Sequence, residues 1–298
     1  MPSLDVVIVS YQCRALVERC LASLERHPFT RGEQRVHLVE NASTDGTAAL
    51  VAERFPHVRL HVLSENAGFS AANNVVLRDA DGDQVLLLNP DTEVTPGALD
   101  ALSARLDADP GIGMLGCRLV QDDGTFDHAA KRSFPTPLSA LAHFTGVGRR
   151  AGAGTRLGQY RATELGEHEC GDVDAVNGAF MLVRRTALQE VGLLDEGYWL
   201  YMEDLDWCYR FHQAGWRVRY EGDVTIVHVK GGTSGRHRRL RQNVAFHRGM
   251  ARFYRKFHAG RNPLLDAAVY GGIAAKLAIA VTRSTTARAL AAPAGRPS

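Results

Sequence analysis

Cysteine is scarce in this chain: five of 298 residues, Cys13, Cys20, Cys117, Cys170 and Cys208, odd in number and without a Cys-x-x-Cys pair. That scatter excludes a disulfide framework and a zinc ribbon, and it fits a reducing compartment. Long apolar runs are also missing. A membrane-spanning helix needs about 18–20 apolar residues, and the nearest candidate, 264–281, is interrupted by Asp266, Gly271, Gly272 and Lys276. The N-terminus has no basic segment followed by an apolar one, so no leader is expected, and the protein reads as soluble or peripheral. Glycine cradles for phosphate are absent too. No Gly-x-Gly-x-x-Gly follows the first strand-like run and no Gly-x-x-x-x-Gly-Lys-Ser/Thr occurs, which disfavours a dinucleotide oxidoreductase and a P-loop phosphotransferase. A nucleotide bound here would need a metal for its phosphates. Finally, no carboxylate lies between Asp223 and Asp266, while ten lysines and arginines from Lys230 to Arg261 do. That basic stretch suits phosphate groups or an anionic surface.

What is present is an ordinary globular balance, 45% apolar and 23% charged with a net charge of +2. It supports a sizeable core and implies no nucleic-acid partner. The first half alternates strand-like and helix-like periods. Strands are expected at 4–10, 36–39, 58–63 and 84–88, and helices at 14–26, 47–54, 70–79 and 98–106, with Pro96 where a first helical turn would begin. Such alternation reads as parallel β units with crossover helices. Beyond, strands are expected at 114–120, 173–176, 180–183, 218–220 and 224–229, and helices near 186–191 and 204–214. The stretch 131–169 has weak periodicity and reads as either a long loop, of the kind that often serves as a lid, or mobile helical excursions. The helical segment 240–257 spaces Phe246, Met250, Phe253 and Phe257 as a core-packing stripe; a membrane-surface helix is the sharper alternative. The tail after Thr282 reads as frayed.

In an open parallel sheet, ligands gather at the carboxyl ends of strands. That rule selects Ser10 and Tyr11, then Glu40, Asn41 and Asp45, then Asn66 and Gly68, then Asn89 and Asp91. Asn89-Pro90-Asp91 is ordinary turn chemistry by itself; beside three other polar strand ends, Asp91 becomes a candidate metal carboxylate, since Mg²⁺ is held by one or two carboxylates plus substrate phosphates. The segment 41–47 also suits a helix N-cap.

Glu203, Asp204 and Asp206 open a helix. Acids in a first turn complement the helix dipole, but Tyr198, Trp199, Tyr201, Trp207 and Tyr209 surround them, and aromatic faces beside acids wall a sugar ring. Partial burial would tune such an acid toward a base. His228 ends a strand before a glycine-rich loop, 230–236, suited to a diphosphate or a metal.

Together these features resemble the inverting family 2 glycosyltransferases of the GT-A fold, in particular a rhamnosyltransferase-like branch. The resemblance runs from about Leu4 to Phe257. It rests on Val9-Ser10-Tyr11, Asn41-Ala42-Ser43-Thr44-Asp45-Gly46, Asn66-Ala67-Gly68-Phe69 with Ala72-Asn73-Asn74, Asn89-Pro90-Asp91, Asn177-Gly178-Ala179-Phe180, Tyr201 to Trp207, and His228. It implies a GT-A fold over 1–235, with a nucleotide-sugar half (1–115) and an acceptor half (116–235), followed by a basic helical extension (236–298). It implies Asp204 as general base and Asp91 with His228 at a Mg²⁺ or Mn²⁺ ion; Asn89 stands where the family's metal motif often has a first Asp. It further implies Ser10, Tyr11, Glu40, Asn41, Asp45, Asn66, Gly68, Asn73 and Asn89 around the donor, and Asn177, Gly178, Ala179, Trp199 and Glu203 on the acceptor side. The expected reaction moves a sugar, rhamnose from dTDP-rhamnose being the branch's donor, to a saccharide acceptor on a polyprenyl diphosphate at the cytoplasmic membrane face. The alternatives are a UDP- or GDP-sugar donor with a soluble acceptor, a nucleotidyltransferase, which would want a glycine-rich Arg-containing loop after the first strand, and a non-catalytic carbohydrate- or nucleotide-binding module.

Overall fold

The computed structural model describes residues 1–135, 165–229 and 240–291. The chain runs β1 (Ser3–Ser10), α1 (Arg14–Arg26), β2 (Glu33–Glu40), α2 (Thr47–Arg54), β3 (Arg59–Val62), α3 (Phe69–Leu77), β4 (Gln84–Leu88), β5 (Thr92–Glu93), α4 (Ala98–Ala108) and β6 (Ile112–Val120). It continues with β7 (Lys131–Arg132), β8 (Gly171–Asp172), β9 (Ala175–Val176), β10 (Phe180–Arg184), α5 (Arg185–Val191), α6 (Glu203–Gln213), β11 (Arg217–His228), α7 (Leu240–Phe257) and α8 (Pro263–Ala291).

The central sheet has the order β3-β2-β1-β4-β10-β6-β11-β5, with β8 added on β11; β7 and β9 form a separate pair. β1 to β4 are parallel, and β10 runs antiparallel between β4 and β6. The continuous apolar runs of β1 and β4 are buried on both faces, as strands covered by helices must be. The chain moves outward from β1 to β2 and β3 and then returns on the other side of β1 as β4. That reversal opens a crevice at the carboxyl ends of β1 and β4. Because β10 lies between β4 and β6, the expected nucleotide-sugar and acceptor halves share one sheet and one core.

Four elements differ from expectation. The two strands expected at 218–220 and 224–229 are one strand, β11, with a register shift between Glu221 and Thr225. Gly222 permits it, since a Cβ there would lie 2.6 Å from the Glu169 carbonyl oxygen. Of the strand expected at 173–176 only Ala175–Val176 forms, as β9, and β8 (Gly171–Asp172) just before it joins the other sheet. Helix α8 continues to Ala291 through the tail expected to fray. Within α8, Pro263–Thr282 is long and apolar enough to cross a membrane, and only 11% of that stretch is buried. The interruptions at Asp266, Gly271, Gly272 and Lys276 therefore do not break the helix, because neither glycines nor isolated charges end a helix by themselves.

Helix α7 packs on the body as its aromatic stripe predicts. Phe253 is in the main core, with Phe246, Met250 and Phe257 against it. Arg252 and Lys256 bind Asp195, and Lys256 also reaches Asp206. Helix α8 instead rests on α7 through a small cluster of Tyr254, Val269 and Ile273. The expected lid at 131–169 lies outside the described residues over 136–164, and the glycine-rich loop after His228 lies outside them over 230–239.

Candidate active site

The residues expected around the donor form a cross-linked shelf at the ends of β1, β2 and β3. Ser10 is buried, and its carbonyl accepts from the Asn41 N–H; Tyr11 stands exposed above it. Glu40 is buried at the end of β2, and its Oε1 accepts from the Ser43 N–H at 2.8 Å. The Asn41 amide bridges loops: Nδ2 donates to Gly68 O and Asn66 Oδ1, while Oδ1 accepts from Ala67 N–H. Asn66 Oδ1 also accepts from Gly68 N–H. Asn73 Nδ2 donates to Phe69 O inside α3. Asp45 is engaged in capping: its carboxylate accepts from Arg14 N–H and from the Thr47 N–H and hydroxyl. Burial raises its pKa, but these donors outweigh it and hold the acid below the usual carboxylate range.

The candidate cation site lies where β4 and β11 end. Asp91 is 4% exposed, and its Oδ1 lies 3.5 Å from His228 Nε2. The other ring nitrogen, Nδ1, lies 3.3 Å from Asp127 Oδ2. Asp127 follows β6 and was invisible to sequence reasoning: it sits after a turn with no motif around it. Its Oδ1 accepts from Ala129 N–H, which aims Oδ2 at the imidazole. Burial pulls the His228 pKa down, but Asp127 and Asp91 outweigh it and push it up to about 9. A carboxylate and an imidazole completed by diphosphate oxygens and water suit Mg²⁺ or Mn²⁺, and a histidine ligand oriented through its second nitrogen by a carboxylate is common metal-site architecture. The residues present therefore fit the implied ion.

Asp204 begins α6 and is 9% exposed. Its Oδ2 accepts from Arg132 Nη2 at 2.6 Å and from the Gly178 N–H at 3.3 Å. Gly178 leads to Ala179, whose carbonyl accepts from the Asn89 N–H. One backbone relay thus ties the acid to Asn89-Pro90-Asp91, and the β4–β10 pairing brings these two strand ends together. Asn177 shapes that turn through Oδ1 to Ala179 N–H and Nδ2 to Ala129 O. Arg132, on β7, had no signal in sequence because it opens the irregular stretch after β6.

The neighbouring acids have other placements. Glu203 points inward and is buried; desolvation, then the Asp204 charge, push its pKa well above the usual carboxylate range. Its burial is close to that of Asp204 beside it. Asp206 is fully buried among Arg210, Lys256 and the Tyr198 hydroxyl, a structural role. Trp199 packs on the donor shelf: its carbonyl accepts from Phe69 N–H at 2.7 Å, and a Cβ on Gly68 would lie 2.4 Å from that oxygen. The structure brings Asp204, Asn177, Gly178 and Ala179 beside Asn89 and Asp91, with Trp199 joining the two sides.

The family model for Glycosyl transferase family 2 matches residues 5–192. The N-acetylglucosaminyl-diphospho-decaprenol L-rhamnosyltransferase of Mycobacterium tuberculosis is 33% identical over 244 residues, 78% of each chain. The rhamnosyltransferase WbbL of Escherichia coli K12 is 27% identical over 54% of this chain and 60% of its own. Among solved structures, the mannosyltransferase PcManGT from Pyrobaculum calidifontis, in complex with GDP-Man and Mn²⁺, superposes with a TM-score of 0.58 at 20% identity, covering 99% of this chain and 76% of that one. Residues 1–349 of S. aureus TarS, in complex with UDP, give 0.56 at 16% identity over 95% and 72%. These last two likenesses are of fold. A GT-A sheet, a crevice at its switch point and the family match together make this chain a glycosyltransferase belonging to glycosyl transferase family 2.

Proposed function

We propose that the protein is an inverting rhamnosyltransferase that transfers rhamnose from dTDP-rhamnose to a saccharide carried on a polyprenyl diphosphate, at the cytoplasmic face of the membrane. The observation that carries this reading is the 33% identity over 78% of both chains to an enzyme named as an L-rhamnosyltransferase of N-acetylglucosaminyl-diphospho-decaprenol; the dTDP donor rests on the family resemblance. The length and exposed apolar character of α8, sufficient to span a bilayer core, support a lipid-linked acceptor.

In the reaction, Asp204 takes the proton from the acceptor hydroxyl as its oxygen bonds to the anomeric carbon. The bond from that carbon to the nucleotide's diphosphate breaks, and a single displacement inverts configuration. Arg132 and the Gly178 N–H hold the carboxylate oxygen in place for this transfer. Asp91 and His228 would hold the divalent cation, which supplies charge neutralisation for the diphosphate when bound. The donor shelf from Ser10 to Asn73 takes the nucleotide.

The test is a transfer assay with dTDP-rhamnose, UDP-sugars and GDP-sugars, each offered farnesyl-diphosphate-linked N-acetylglucosamine and a soluble N-acetylglucosaminide, with products identified by mass and linkage. Product only from dTDP-rhamnose and the diphosphate-linked acceptor is expected. Transfer from another donor, or only to the soluble acceptor, would sink the proposal.

A further inference from the structure

A cavity of about 360 Å³ lies between the segment 197–199 and helix α7. Tyr198 and Trp199 form one wall; Arg241, Ala245, Arg248 and Gly249 form the other. Arg241 stacks over the Trp199 ring at 4.0 Å. Arg241 and Arg248 are seven residues apart and so lie on one face of the helix.

The cations of α7 divide into two groups. Arg252 and Lys256 are engaged with Asp195 and Asp206, which pins the helix to the body. Among the described residues, no carboxylate pairs with Arg241 or Arg248, and none occurs in the sequence from 224 to 265. Two guanidiniums with an aromatic wall and no internal counter-ion make a site for a compact, multiply charged anion, because guanidinium forks match phosphate oxygens. The site is firmly built at one edge. A Cβ on Gly249 would lie 3.0 Å from the Tyr201 carbonyl oxygen, so α7 packs tightly on the turn that delivers Asp204. Trp199 is five residues before Asp204, within about 18 Å by chain reach. The opposite end of α7 carries α8, the exposed apolar helix.

We infer that this cavity is the subsite for the diphosphate of a lipid-linked acceptor, with Arg241 and Arg248 as its anion ligands and the lipid leading toward α8. The inference rests on the reading of the acceptor given above. The donor's diphosphate has a separate location in that reading, at Asp91 and His228.

The experiment has a binding arm and a transfer arm. In the first, farnesyl diphosphate, farnesol and dTDP with Mn²⁺ are titrated by calorimetry into the full chain and into Arg248→Ala, Arg241→Ala, the double variant and Arg248→Lys. Circular dichroism verifies folding, and Arg248→Ala leaves the Trp199 stack intact. Each Ala variant is expected to weaken farnesyl diphosphate about 10- to 100-fold, with Arg248→Lys in between and with farnesol and dTDP unchanged. Unchanged farnesyl diphosphate affinity in the double variant overturns the subsite. Equal weakening of dTDP overturns its assignment to the acceptor. In the transfer arm, the variants should raise KM for the diphosphate-linked acceptor and leave KM for the donor alone; a raised donor KM contradicts the assignment. Arginine-dependent binding of farnesyl diphosphate without any transfer to a diphosphate-linked acceptor would instead count against the proposed reaction and leave the subsite standing.

Discussion

Arg132 and Asp204 form a 2.6 Å ion pair at the mouth of α6, both largely buried and 72 residues apart in sequence. The pair joins β7, the short strand that follows the Asp127 turn, to the first turn of α6. Its remaining acceptor contacts are the N–H groups of Gly178 and Leu205. The carboxylate therefore has a fixed orientation before any acceptor arrives, which is the condition for efficient proton abstraction.

Asp204→Asn is expected to lower kcat by about 10²- to 10⁴-fold, the usual contribution of a general base, while nucleotide binding stays intact. Arg132→Ala should lower kcat about 10-fold or more by loosening that carboxylate, and Arg132→Lys should recover part of the loss. Steady-state kinetics alongside a thermal-shift titration with dTDP would separate the two effects. Loss of dTDP binding in Asp204→Asn would show that the acid belongs to the donor site.

Much of this site was legible in sequence because its residues end apolar strands. Asn89-Pro90-Asp91 follows the fully buried run of β4, and Glu40-Asn41 follows β2, so one topological rule placed both. Asp127 and Arg132 were not legible. Their roles come from three-dimensional pairing with His228 and Asp204, and the turn and two-residue strand that hold them have no periodicity to read. Which acid of α6 serves the site was not legible either. Adjacent first-turn residues of a helix point in different directions, and which one faces the cleft depends on how α6 packs. The apolar segment 264–281 was set aside because run-counting treats glycine and isolated charges as breaks, whereas a helix passes through them.

Asp127 should control the metal. Asp127→Asn is expected to weaken Mn²⁺ about 10- to 100-fold, as loss of a carboxylate behind a histidine ligand does, measured by calorimetry with and without dTDP. The pH dependence has a definite sign. In the metal-free protein the His228 pKa is raised to about 9, so its proton stabilises the fold below the unfolded value near 6.5 and that contribution is lost as pH rises through about 9. A metal needs the neutral ring, so Mn²⁺ affinity should climb from pH 6.5 to about 9 and then level off. A flat profile would exclude His228 as a ligand.

Gly68→Ala should damage both fold and function. Gly68 has φ of +87°, and an added Cβ would meet the Trp199 carbonyl oxygen at 2.4 Å. Strain of this kind amounts to about 1–3 kcal/mol, visible as a lower Tm, and the displaced Trp199 should raise acceptor KM. Wild-type Tm and KM in this variant would mean that the two loops separate easily.

Acid should release α7 before it unfolds the sheet. Burial raises the Asp195 pKa, but Arg252 and Lys256 outweigh it and bring it down to about 2. A depressed folded value means that stability is present above the unfolded value near 3.8 and is lost as pH falls toward 2. Hydrogen exchange should therefore show α7 amides exposed between pH 4 and 2 ahead of β1 and β4, and Asp195→Asn should show the same exposure at neutral pH. Simultaneous exchange of α7 and the central strands would refute that order.

The exposed face of α8 offers the cleanest test of membrane contact. Leu264 and Ile279 are 84% and 53% exposed, so replacing them should leave the fold within about 0.5 kcal/mol of wild type. At a bilayer boundary each side chain contributes about 1.5 kcal/mol or more when buried, so Leu264→Glu and Ile279→Glu should each reduce partitioning into phosphatidylglycerol vesicles about 10-fold. Flotation of the full chain with such vesicles measures this, and activity on a soluble acceptor controls for folding. The cations of α7 add a salt-dependent part that weakens as ionic strength rises, whereas the α8 part does not. Flotation that vanishes in salt and ignores both substitutions would assign the contact to α7 alone.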